Sequence, residues 1–302
     1  LGCDVTALVQ YNSTGSCDLI DEFDADLRDC IKVVAGDLRD ENCVRDVVRG
    51  QDYVFHLGAI ISIPYSYLHP RNTWQVNVMG TMNVLAAARD SGTSRVLVTS
   101  TSEVYGTALY VPIDEAHPLQ GQSPYSASKI AADKMAEAFY CSYNLPVVTV
   151  RPFNAFGPRQ STRAVIPTII TQVLASNSIK LGDVTTTRDF TFVLDTVEGF
   201  VKAAEAPDVL GEVINLGTGS EVSIEEVVKR VIEIVGSDVE VVRDPNRMRP
   251  EKSEVRQLVC DNSKARKLLG WTPSYSLDEG LKQTIEWLRE NLSKYHPGQY
   301  DV

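Results

Sequence analysis

The sequence predicts an α/β fold, a doubly wound parallel sheet covered by helices and followed by a smaller C-terminal α/β lobe. Two patterns carry that prediction. In the first half, short β-branched runs alternate with longer amphipathic segments, the order that a parallel sheet with crossover helices requires. After Arg151 the rhythm loosens into shorter pieces, as a second lobe assembled from fragments would show.

Strands are expected at residues 5–9, 31–35, 53–57, 95–99 and 146–150, with helices at 41–49, 73–90 and 123–142 between them. Beyond Arg151, a helix at 164–175 precedes short strands near Ile179, Phe190 and Val213, and helices follow at 223–235 and 277–289. No internal repeat or low-complexity tract interrupts this order.

The 302 residues, 43% hydrophobic and 23% charged, suit a soluble globular protein with a large core. No apolar run approaches the roughly 18 residues of a membrane span, and no signal peptide is read at the start. Cys3, Cys17, Cys30, Cys43, Cys141 and Cys260 lack the spacing of a zinc site or the density of a disulfide scaffold. Free thiols in a reducing cytoplasm are expected. The net charge of -11 argues against broad nucleic-acid affinity, because neutralising a phosphate backbone needs clustered cations. It leaves room for a phosphorylated small molecule held by a few local arginines.

Tyr125-Ser126-Ala127-Ser128-Lys129 opens a predicted helix, where the i,i+4 spacing puts phenol and ammonium on one face. An ammonium near a phenol favours the phenolate and makes it a usable base. Upstream, the strand at 95–99 runs into Ser100-Thr101-Ser102-Glu103-Val104-Tyr105-Gly106. Ligands of open α/β sheets gather at the carboxyl ends of strands, so this hydroxyl-rich segment with one acid is where substrate is expected.

Together with Arg151-Pro152-Phe153-Asn154, Gly36-Asp37-Leu38-Arg39-Asp40, His56-Leu57-Gly58-Ala59 and Arg188-Asp189-Phe190, these motifs resemble the extended short-chain dehydrogenase/reductase family over almost the whole chain. The resemblance implies a Rossmann-type sheet, with residues 1–155 as the NAD(P)-binding domain. Residues 156–302 would be mainly the substrate-binding lobe, some segments returning to the first domain. Within the family, sugar-nucleotide 4,6-dehydratases carry a glutamate two residues after the threonine, as Glu103 follows Thr101 here. The glucose-nucleotide enzymes place an aspartate before that glutamate; here Ser102 stands there, as in GDP-mannose dehydratases. The runs from Gln122 to Lys129 and from Val9 to Ser13 look most like the N-acetylglucosamine-nucleotide 4,6-dehydratases of nonulosonic (legionaminic-type) acid pathways.

What the resemblance implies is a sequence of proton and hydride transfers. Tyr125 takes the proton of the sugar O4 as the C4 hydride leaves, Thr101 orients O4, and Lys129 supports the phenolate and the nicotinamide ribose. Glu103 removes the acidified C5 proton. Water leaves C6 with a proton from protonated Glu103 or from a relay through Ser102, and hydride returns to C6. The cofactor would lie along Asp37, Leu38, Leu57, Gly58, Ala59, Asn77, Thr99, Tyr125 and Lys129. Asn154, Arg188 and Arg249 would hold the sugar diphosphate. A homodimer through the helices at 73–90 and 123–142 is implied as well. Val9 and Gln10 stand where a ribose-binding acid is usual, which leaves NAD against NADP open; NAD is preferred because no arginine is there to receive a 2′-phosphate.

Packing is the expected role of His56, Trp74 and Trp271. No cluster of His, Cys and carboxylate has metal-ligand spacing. Leu1-Gly2 reads as the end of a helix with Gly2 as its left-handed cap, and a strand follows at once. A dinucleotide-binding sheet opens instead with a strand and a glycine-rich turn, neither of which is in this sequence. The natural chain is therefore expected to begin upstream of Leu1; a protein complete without that turn would bind a dinucleotide poorly. A central gap in the sheet is expected. Two other functions compete, a UDP-sugar 4-epimerase sharing Tyr125 and Lys129, and a non-catalytic dinucleotide sensor on the same fold.

Overall fold

The computed structural model describes residues 2–299; Leu1 lies outside them, and Gly2 takes a left-handed φ of 69°. Strand β1 (Val5–Gln10) leads through the short helix α1 (Ala25–Asp29) to β2 (Ile31–Gly36), and the two strands pair in parallel with Val5 opposite Ile31. Helix α2 (Glu41–Val48) starts at Asp40, whose carboxylate accepts from the N–H groups of Asn42 and Cys43, as an N-cap should. Then come β3 (Tyr53–His56), α3 (Ile63–Leu68), α4 (Pro70–Trp74), α5 (Gly80–Ser91), β4 (Arg95–Thr99), α6 (Pro124–Tyr143) and β5 (Val147–Pro152).

The later chain contributes β6 (Asn154–Phe156), α7 (Val165–Ala175), β7 (Ser178–Leu181), β8 (Thr187–Arg188), β9 (Phe190–Phe192), α8 (Val193–Glu205) and β10 (Val213–Leu216). It closes with β11 (Val222–Ser223), α9 (Ile224–Val235), β12 (Glu240–Arg243), α10 (Ser263–Leu269) and α11 (Leu277–Glu290). Strand β10 returns to pair with β5, giving a parallel sheet in the order β10-β5-β4-β3. Val96 and Val98 pack with residues of α2, α5 and α6 on one face, whereas Leu97 packs with α8 and α10 on the other. Both faces are covered, which is why β4 and β5 read as continuous apolar runs rather than alternating ones.

The expected interruption is present. β1 and β2 form a separate pair, and among the described residues no strand joins β1 to β3. The pair is held through side chains: Leu8 of β1 and Val54 of β3 share one apolar cluster with Val44 and Val84. A third cluster, built on Phe156, Phe190 and Phe192, gathers the inner faces of α7, α9 and α11.

Short elements such as α1, α3, α10 and β12 are not expected from the sequence, and three further departures bear on the core and the site. The helix expected at 73–90 is broken by a wide π turn, Gln75–Met79, between α4 and α5. Helix α8 has no counterpart in the periodicity reading because Phe192 ends β9 and caps the helix at once, with no capping side chain or loop to mark the junction. Packing accounts for Trp271 but not for Trp74, which is 47% exposed. Trp271 is fully buried against α8 and α10, and its indole N–H donates to the Asp195 carbonyl at 2.9 Å. Trp271→Ala should therefore destabilise the fold by about 3–5 kcal/mol, read as a lower urea midpoint in circular dichroism.

Candidate active site

The site is assembled where β4 ends and α6 begins. Ser123 and Ser126 form a capping box: the Ser123 hydroxyl accepts from the Ser126 N–H at 3.0 Å and the Ser126 hydroxyl from the Ser123 N–H at 2.9 Å. Pro124 occupies the first turn, where its missing N–H is harmless. This start fixes Tyr125 and Lys129 on the helix face turned toward β4. The Tyr125 N–H donates to the Ser66 hydroxyl of α3 at 3.2 Å, and the Lys129 ammonium donates to the Thr99 carbonyl at 2.5 Å. Both side chains are buried.

Burial governs their chemistry. It pushes the Tyr125 phenol well above its ordinary value; the Thr101 hydroxyl beside it opposes this, while the charges of Glu103 and Asp133 add to it. Burial also lowers Lys129, against the attraction of Asp133. The Lys129 ammonium is turned to the Thr99 carbonyl. His56 is held neutral by burial, its value lowered to about 3, and its ring Nε2 lies 2.8 Å from the Thr81 hydroxyl. That is a packing role.

Thr101 caps the 3-10 turn Ser102–Tyr105, its hydroxyl accepting from the Glu103 N–H at 3.2 Å. The turn sends the two neighbours different ways: Ser102 is buried, and Glu103 lines a cavity of about 250 Å³. The same cavity is lined by Asn154, Gln160, Arg188, Arg249 and Glu254. Arg188 lies 3.3 Å and Arg249 3.6 Å from one oxygen of Glu254. The side-chain amide oxygens of Asn154 and Gln160 are buried without a hydrogen-bond partner. Burial lowers Arg188, and the charges of Glu103 and Glu254 resist that. Asp189 of the Arg-Asp-Phe motif is structural, accepting from Thr218, Gly219 and Cys260.

On the other side of Tyr125, Asn77 sits in the π turn and clamps the loop after β3. Its side chain accepts from the Ile60 N–H at 2.7 Å and donates to the Ile60 carbonyl at 2.9 Å and the Ser128 hydroxyl at 3.0 Å. Leu57 in that loop is exposed. A Cβ at Gly58 would stand 2.6 Å from Leu38 Cδ1, so any larger residue there would have to displace the end of that leucine. Leu38 is wedged beneath Gly58 and Gly80, and Asp37 is held ionised by Arg39 at 2.5 Å.

The structure thus brings Thr99, Thr101, Glu103, Tyr125 and Lys129 to one corner. Asn154, Arg188 and Arg249 line the adjoining cavity, and Asn77, Leu57, Gly58 and Ala59 lie on the far side. Sequence reading gives no role to Gln160, Tyr67 or Glu254. Tyr67 reaches Ser253, beside Glu254, at 2.6 Å, a contact 186 residues apart with no local signal.

Residues 1–284 match the family described as GDP-mannose 4,6 dehydratase. The chain is 35% identical to a UDP-glucose 4-epimerase of Mycolicibacterium smegmatis over 79% of its length and 76% of that protein's. It is 34% identical to a dTDP-glucose 4,6-dehydratase of Streptomyces griseus, over 84% of this chain and 76% of the other. The solved structure of DesIV, a dTDP-glucose 4,6-dehydratase from Streptomyces venezuelae with NAD and TYD bound, superposes with a TM-score of 0.87 at 30% identity, covering 97% of this chain and 89% of that one. The match along nearly the whole chain and the shared architecture lead to one statement: the protein belongs to the GDP-mannose 4,6-dehydratase family, among the extended short-chain dehydrogenase/reductases.

Proposed function

We propose that the protein is an NAD-dependent nucleotide-sugar 4,6-dehydratase acting on GDP- or UDP-N-acetylglucosamine. The observation that carries this reading is Glu103, lining the cavity on the turn that also caps with Thr101 beside Tyr125. An acid there is what C5 proton abstraction needs.

The residues around the loop after β3 fit a dinucleotide. That backbone is exposed, clamped by Asn77 and made close-fitting by Gly58 over Leu38. Leu57, Gly58, Ala59, Asn77, Thr99 and Lys129 would hold the cofactor, with Asp37 and Leu38 toward its adenine. When bound, NAD supplies the hydride acceptor for C4 and the hydride donor for C6.

Tyr125 as phenolate accepts the O4 proton, oriented by Thr101. Glu103 then accepts the C5 proton, which the neighbouring ketone has acidified. Ser102 is buried, so Glu103 is the better placed of the two to return a proton to the departing C6 hydroxyl as water. Arg188 and Arg249 would exchange their contact with Glu254 for the diphosphate, and Asn154 would donate through its amide. Exposed Trp74, Met79, Tyr140 and Tyr143 on the helical segments at 70–91 and 124–143 favour a homodimer through those segments.

A 4-epimerase is the second reading, favoured by the similarity to the Mycolicibacterium enzyme. Incubation with NAD and each of the two nucleotide sugars should give a product lighter by one water in mass spectrometry. A product of unchanged mass would sink the dehydratase reading and support epimerisation.

A further inference from the structure

The two halves of the site stand on different elements, Tyr125 and Lys129 on α6 and Glu103 on the 3-10 turn Ser102–Tyr105. One side chain bonds to both. Arg151 of β5 donates through Nε to Asp133 Oδ2 on α6 at 3.0 Å, with Nη2 also 3.0 Å from that oxygen. Its Nη1 donates to the Tyr105 hydroxyl, at the end of the turn, at 2.9 Å. That hydroxyl donates in turn to Asn215 Oδ1 of β10 at 2.7 Å, and the Ser100 hydroxyl, just past β4, donates to Asp133 Oδ2 at 2.8 Å.

An ion pair alone needs nothing from Tyr105. A guanidinium normally sets two arms against both carboxylate oxygens. Here one arm is diverted to the turn, and Asp133 Oδ1 is left buried without a hydrogen-bond partner. The planar fork holds its directions at a fixed angle, so helix and turn cannot shift independently without breaking one of its bonds. Arg151 and Asp133 are 4% and 3% exposed and Tyr105 is fully buried, so a broken bond there is not readily replaced by water.

The turn is short enough to carry this fixation to Glu103. Tyr105 follows Glu103 by two residues, and Gly106, with a left-handed φ of 64°, closes the turn by donating its N–H to the Glu103 carbonyl at 3.3 Å. Gln120 Nε2 donates to the Tyr105 carbonyl at 2.8 Å, and the Tyr105 ring meets His117 edge-on with centroids 5.5 Å apart. Thr101 caps the other end. Of the four residues in the turn, Glu103 is the one that lines the cavity.

We propose that Arg151 and Tyr105 are positioning residues, a strut between α6 and the 3-10 turn that sets where the Glu103 carboxylate stands relative to Tyr125. This rests on the dehydratase reading, in which Glu103 removes the C5 proton once C4 is oxidised. Such a transfer is sensitive to placement, a shift of about 1 Å costing up to about 10²-fold. Without the strut the turn loosens, whereas Tyr125 and Lys129 keep the capping box of α6 and the Thr99 carbonyl. The two half-reactions should therefore separate.

Two mild variants cut the strut. Tyr105→Phe keeps the ring and removes the hydroxyl; Arg151→Lys keeps the charge that balances Asp133 and removes the fork. In heavy water with NAD and the N-acetylglucosamine nucleotide, single-turnover formation of reduced nicotinamide reads C4 oxidation, and solvent deuterium entering the sugar at C5 reads proton removal. In both variants C5 exchange should fall about 10-fold or more while C4 oxidation stays within about 3-fold of wild type. The double variant should fall little further than the worse single one. A proportional loss in both steps marks a general weakening of the fold and overturns the proposal, as does unchanged C5 exchange. If Arg151→Lys does not fold, Tyr105→Phe carries the test by itself.

A second readout needs no substrate. The Val104 and Gly106 amides, bonded to the Thr101 and Glu103 carbonyls, should exchange with solvent about 10-fold faster or more in Tyr105→Phe, with the amides of α6 unchanged. Equal protection of the turn overturns the strut. A wild type that oxidises C4 but exchanges no C5 proton sinks the dehydratase reading and the catalytic use of the strut with it; a wild type that exchanges C5 beside variants that match it sinks the strut alone.

Discussion

Tyr125→Phe should lower kcat by about 10²- to 10⁴-fold while leaving the fold intact. Among the described residues the phenol's hydrogen bond is that with Thr101, and the backbone bond to Ser66 survives the change. The loss should be accompanied by a change in pH dependence. Burial pushes the phenol up, so in the wild type the rate should fall as pH drops through the phenol's titration in the working complex. In Tyr125→Phe that limb should vanish from whatever activity persists. Steady-state rates across pH check both parts; a variant with wild-type turnover would remove Tyr125 from the chemistry.

Glu103→Gln should abolish dehydration, with turnover reduced at least about 10²-fold, yet leave C4 oxidation in place. The replacement is isosteric and keeps the turn, because the cap uses the Glu103 N–H and not its side chain. Reduced nicotinamide should therefore accumulate in a single turnover, visible by its near-ultraviolet absorbance, with no loss of water from the sugar. Undiminished turnover would show that another group removes the C5 proton. Arg188 provides an internal comparison: it faces Glu103 and Glu254, and its substitution should raise KM more than it lowers kcat if it holds the diphosphate.

The central strands are legible in the sequence because β4 and β5 are buried on both faces and carry unbroken β-branched runs. Tyr125 and Lys129 are legible because four residues on a helix is a local relation. The direction of the Lys129 ammonium is not, since it depends on the Thr99 carbonyl thirty residues earlier. Glu254 and Gln160 reach the cavity only through tertiary folding. Arg151 stands out within its motif, but its guanidinium turns inward to Asp133 and Tyr105, which spacing alone does not reveal. Residue type alone suggests packing for Trp74, and the helix start at Pro70–Trp74 leaves it outward instead.

The π turn at Gln75–Met79 has a thermodynamic side. Through Asn77 it joins the loop after β3 to α6, and the Thr81 hydroxyl donates to the Asn77 carbonyl at 2.6 Å, adding α5 to the same knot. The loop is thus preorganised before any ligand arrives. Little ordering entropy is lost on association there, and more of the contact energy is left to appear as affinity.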